Sequence, residues 1–147
     1  MINSDRVNHI MAVARLMKDK AEQVGLDKEE MFTLGLLHDV GYEFGESEEH
    51  HIKGFEMLEK QNYKYAKEVK YHGIPTKEYS SVALDLLNYA DMHINKKGEY
   101  VSFADRLEDI KLRRGENSRA YINCTIIIEG LKQRKFLETT SLQGDLT

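Results

Sequence analysis

The sequence predicts an all-α bundle of about seven helices. Three observations point there: Pro75 is the single proline in 147 residues, strictly alternating β-branched runs are missing, and apolar residues return at intervals of three and four between cap residues. A chain of this length, 41% hydrophobic, forms one domain around one core. Its expected extent is residues 1–137, with 138–147 a frayed tail, because ETTSLQGDLT carries no periodic apolar pattern.

Ile10, Val13, Ala14, Met17, Ala21 and Val24 mark a first amphipathic helix over residues 5–24, stopped by Gly25. Asp27 with Glu30 is a capping-box-like start for a second helix, whose stripe Met31, Leu34 and His38 faces the core before Gly41 ends it. The acidic stretch 45–49 is a surface loop, and a third helix starts near His50 and carries Phe55, Met57 and Leu58. A fourth, over residues 63–72, aligns Tyr65, Val69 and His72 and stops at Gly73. Thr76 is the expected cap of a fifth, on which Leu84, Leu87 and Asp91 share a stripe. Ser102 with Asp105 opens a sixth that runs to Arg114, and a last helix covers 118–136.

A formal charge of -4 and a pI near 5.9 exclude a protein built to grip a polynucleotide backbone. The lone Cys124 makes no internal disulfide and reads as a small buried residue, and MINSDRVNHIMAVARL has no secretory pattern, so the cytoplasm is the expected compartment. No window approaches ~18 consecutive apolar residues, so no membrane span is expected. A triad serine, a phosphate-cradling glycine loop and a paired-cysteine knuckle are all missing.

The chemistry sits in the pair His38-Asp39, at the end of the apolar run LGLLHDVGY. An imidazole beside a carboxylate on a buried helix costs several kcal/mol to desolvate unless both find a partner, and a divalent cation serves both. His9, His50, His72 and Asp91 stand likewise at helix ends or on inward stripes of successive helices. One histidine on an apolar face is usually a hydrogen-bonded core residue; six such groups in series read as a metal site. His93 follows Asp91 by two and points elsewhere, to the surface or behind the ligands. Tyr42, Tyr71 and Tyr89 read as packing, and Lys53, Lys96, Lys97, Arg106, Arg113 and Arg114 as mostly solvated cations able to meet a polyphosphate.

From Arg6 through LLHDVGY, HHIKGFEML, YHG and NYADMHI, over about residues 5 to 115, the ordered set His, His-Asp, His, His, Asp resembles the HD-domain superfamily of metal-dependent phosphohydrolases. The stretch GEYVSFADRLEDIKLRRG looks like the tail of a small bacterial branch of that superfamily. The resemblance implies His9, His38, Asp39 and Asp91 as core ligands, with His50 and His72 admitting a second metal. His50 is preferred to His51 because it shares a stripe with Gly54, where a metal cluster or substrate can approach. Asp91 is preferred to Asp105, whose place in the first turn after Ser102 is explained by capping. Related hydrolases of cyclic dinucleotides carry lysine at the position of Tyr42, which disfavours that substrate here.

Imidazole-rich ligation implies a divalent transition metal, two ions by the resemblance, iron or manganese first and zinc, cobalt or nickel as alternatives. The expected activity is hydrolysis of a phosphoester or phosphoanhydride of a small nucleotide or phosphorylated metabolite through a metal-bound hydroxide, with His38 and Asp39 central. The alternatives are a di-iron oxygenase of the same fold, or a non-catalytic signalling module that binds metal or nucleotide.

Overall fold

The computed structural model describes residues 4–40 and 50–138, the side chains of residues 50 and 51 excepted. These residues form seven α-helices and no strand. They are α1 (Ser4–Lys20), α2 (Lys28–Leu37), α3 (His50–Lys60), α4 (Ala66–Tyr71), α5 (Val82–His93), α6 (Phe103–Arg114) and α7 (Arg119–Gln133). The predicted class is therefore the observed one. Among the described residues no helix is long and apolar enough to cross a membrane. The expected stop at Gly41, the loop 45–49, Tyr42 and the tail from residue 139 lie outside the described residues.

The first helix is shorter than its apolar pattern. After Lys20 the chain tightens into a 3₁₀ turn, Ala21–Val24, closed by Gly25 at φ 77°. Asp27 then caps α2, its carboxylate accepting the Glu30 amide hydrogen at 2.9 Å. Helices α1 and α2 pack so closely at Gly35 that an added Cβ would lie 2.4 Å from Ala14 Cα. Val13 and Met17 of α1, Met31 and Leu34 of α2, and Leu86 and Leu87 of α5 form the centre of the core, each fully buried. Each such side chain contributes roughly 1.5–3 kcal/mol by leaving water.

Three more boundaries depart from expectation, and one of them is the end of the last helix, which stops at Gln133 rather than at residue 136. Helix α4 begins only at Ala66, because residues 61–65 are spent on a turn in which the Leu58 carbonyl accepts from Gln61 and Tyr63 and Asn62 adopts φ 59°. The cap of α5 is Ser81, not Thr76. Ser81 Oγ accepts the Leu84 amide hydrogen at 2.9 Å and donates to the buried Glu68 at 2.7 Å, a pairing across elements that Thr76 lacks. Thr76 accepts instead from Glu78 N, in a local turn after Pro75.

Candidate metal centre

Five of the six expected ligands converge. His9 comes from the middle of α1, His38 caps the C-terminus of α2, Asp39 follows it, His72 caps α4 and Asp91 lies in the last turn of α5. All five are buried. The Nε2 or carboxylate atoms form two overlapping sets, His9, His38 and Asp39 and then His38, His72 and Asp91, within each of which the donor atoms lie within 4.8 Å of one another. His50 begins α3, but its side chain, like that of His51, lies outside the described residues.

Each imidazole is held by its far nitrogen. His9 Nδ1 donates to the Asn95 carbonyl at 2.9 Å, His38 Nδ1 to Gly35 at 2.6 Å and His72 Nδ1 to Val69 at 2.6 Å. A backbone carbonyl only accepts, so Nδ1 carries hydrogen in all three rings and a neutral ring presents its Nε2 lone pair inward. Those lone pairs face oxygen. His9 Nε2 is 2.9 Å from Asp91 Oδ1, His38 Nε2 is 3.2 Å from Asp39 Oδ2, and His72 Nε2 is 3.4 Å from Asp39 Oδ1. His38 Nε2 is fully buried and makes no hydrogen bond despite that proximity.

Lone pairs opposed to carboxylates repel unless a proton or a cation stands between them. Burial opposes charge on His38, but Asp39 and Asp91 outweigh it and hold its pKa well above the ordinary value. Burial likewise opposes ionisation of the two carboxylates, and the histidines outweigh it, His38 foremost, so both Asp39 and Asp91 are held well below theirs. Three Nε2 donors, that of His38 buried and without a hydrogen bond, and two ionised carboxylates fit a divalent metal.

The centre lies in the wall of a cavity of about 670 Å³. Arg6 stands beside it, Nη1 3.0 Å from Asp39 Oδ2. Farther along, Lys96, Arg106, Arg113, Arg114 and Arg119 line the same cavity, together with apolar Ile74, Pro75, Met92, Ile110 and Ile126. A chain of net negative charge thus concentrates cations where its candidate ligands are.

Three expectations about side chains change. Arg106 is not a solvated cation: it is 8% exposed, and its Nε donates to the Asp91 carbonyl at 3.2 Å. The signal was available, since Phe103, Arg106 and Ile110 share one inward stripe of α6. His93 points away from Asp91 as expected but is buried, stacked on Phe103 at 4.0 Å between ring centres and donating to the Val101 carbonyl at 2.7 Å. Cys124 is only partly buried and lines the cavity, its thiol pushed up to about 11 by burial and so protonated near neutrality. Asp105 is exposed, in the capped first turn of α6, as expected.

A family model describing the HD domain matches residues 6–110, more than half of the chain. Comparison with curated proteins and with solved structures returns no match.

Proposed function

The chain belongs to the HD domain family, a superfamily of metal-dependent phosphohydrolases, and on that footing we propose that it hydrolyses a phosphoester or phosphoanhydride of a small nucleotide or phosphorylated metabolite. One observation carries the reading: the candidate ligands occupy the wall of a cavity otherwise rich in arginine. An arginine-rich wall suits a phosphorylated substrate.

In this reading His9, His38, Asp39, His72 and Asp91 hold divalent transition metal, with His50 completing the set. When bound, such ions lower the pKa of water and neutralise charge on phosphate oxygens. The chain's own part is positional. Asp39 stands at the centre, within 3.2 Å of His38, 3.4 Å of His72 and 3.0 Å of Arg6, where it would hold metal together with the histidines. The carbonyls of Asn95, Gly35 and Val69 keep the three rings in one tautomer, so no reorientation accompanies the reaction. Hydrolysis adds the oxygen of water to phosphorus, breaks the P–O bond to the leaving group and passes one proton to that group.

The test is a phosphate-release screen over nucleotides and sugar phosphates with manganese- or iron-loaded protein under argon. Release that needs metal and not oxygen supports the proposal. Turnover that requires oxygen would move the protein to the oxygenase chemistry of the fold, and no turnover with metal fully bound would leave a binding module.

A further inference from the structure

Arg106 does not belong to the ligand set, yet it is built into the same cavity. Its residue is more than nine-tenths buried, its Nε is tied to the Asp91 main-chain carbonyl at 3.2 Å, and its Nη1 makes no hydrogen bond. Among the described residues the nearest carboxylate to Nη1, Asp109, is 3.9 Å away and is already held by Arg113 at 3.1 Å. A buried guanidinium nitrogen left without an acceptor is costly. The tie to Asp91 fixes the plane of the group, as a receptor for a planar pair of oxygens requires.

The surroundings point the same way. The last turn of α6 brings Arg113 and Arg114, and the first two turns of α7 bring Arg119, Ala120 and Asn123, to the same cavity. The N-terminal end of α7, a fifteen-residue helix, therefore adds its partial positive charge there. At about 670 Å³ the space is far larger than one phosphoryl group needs and is of the size that takes a whole small-molecule ligand.

We infer that Arg106, backed by the α6–α7 cations, is the receptor for a second phosphate, so that the substrate is a phosphoanhydride or polyphosphate rather than a simple monoester. This rests on the phosphohydrolase reading: the metal centre takes the phosphoryl group to be cleaved and Arg106 takes its neighbour. Lys96, Arg114 and Arg119 extend the same cationic track for a longer chain.

Calorimetry with two non-hydrolysable probes, methylenediphosphonate and methylphosphonate, tests it on the manganese-loaded full chain. The wild type is expected to bind the diphosphonate at least about tenfold more tightly. Arg106→Gln, assayed at saturating manganese, is expected to erase that preference while methylphosphonate is still bound; Arg106→Lys, which keeps charge but not the fork, restores part of it. Equal affinities in the wild type, or a preference that survives Arg106→Gln, would overturn the inference, and so would parallel loss of both probes and metal. Should Arg106→Gln not fold, Arg106→Lys decides: a preference as large as that of the wild type counts against the assignment. A wild type that holds metal and binds methylphosphonate without discrimination defeats this inference alone. One that binds the diphosphonate yet holds no metal defeats the phosphohydrolase reading instead.

Discussion

The ring of His38 is set by Gly35, whose carbonyl oxygen lies 2.6 Å from Nδ1. The same glycine lets α1 approach α2, and α1 carries His9, whose ring centre is 5.5 Å from that of His38. One small residue therefore fixes both the direction of one candidate ligand and the distance to the next.

Gly35→Ala tests that dependence. An added methyl meets the Ala14 backbone rather than a flexible side-chain end, so the helices must part. Overpacking of this kind costs about 1–3 kcal/mol, against which better helix propensity returns about 1 kcal/mol. The variant is expected to lose stability on urea denaturation and to bind manganese more weakly. An undiminished metal affinity would show that the α1–α2 spacing does not govern the site.

His93→Phe provides the opposite test. His93 stacks on Phe103 and Tyr100 and donates one hydrogen bond, to Val101, away from the candidate ligands. Losing that bond should cost on the order of 1 kcal/mol. Metal content is expected to be unchanged, and a variant purified without metal would make His93 part of the site.

The pH dependence follows from the charges at the centre. In the metal-free protein burial disfavours a charge on His38, yet Asp39 and Asp91 outweigh it, so the folded pKa is raised well above 6.5. A raised folded pKa adds stability below the unfolded value that is lost as pH rises through the folded one. Chelator-treated protein should therefore weaken as pH rises above about 6.5, whereas metal-loaded protein should not. Metal uptake near neutrality should release protons, measurable by calorimetry in two buffers of different ionisation enthalpy. The carboxylates act in the other direction: the lowered pKa values of Asp39 and Asp91 give stability above about 3.8 that is lost as pH falls through their folded values.

Legibility in the sequence followed the range of the interactions. The helical class and two of the four side-chain caps among the described residues are readable because they rest on local spacing, as Asp27 to Glu30 and Ser102 to Asp105 show. The convergence of His9, His38, Asp39, His72 and Asp91 was anticipated because each sat at a helix end or on an inward stripe. Ser81 was missed as a cap because its role depends on Glu68, thirteen residues earlier and on another helix. The carbonyls that orient the rings were out of reach for a similar reason: Asn95 meets His9 across 86 positions, through a loop that Gly98, at φ 89°, presses against Asn8. In the sequence Arg106 reads as one of the cations able to meet a polyphosphate, but its burial is not legible there, because a charged residue in a charged helix looks solvated until the neighbouring Phe103 and Ile110 are seen to face inward.

Elemental analysis of wild type and Asp39→Ala, both purified without added metal, tests the central claim most directly. Asp39 lies within 4 Å of three candidate histidines and of Arg6, so among the described residues no other single side chain touches as much of the centre. The wild type is expected to carry transition metal at one to two ions per chain, about as many as the paired donor sets can hold, and Asp39→Ala none, with its helical circular dichroism intact. A wild type that holds no metal and takes up none on addition of manganese, iron or zinc would contradict the account.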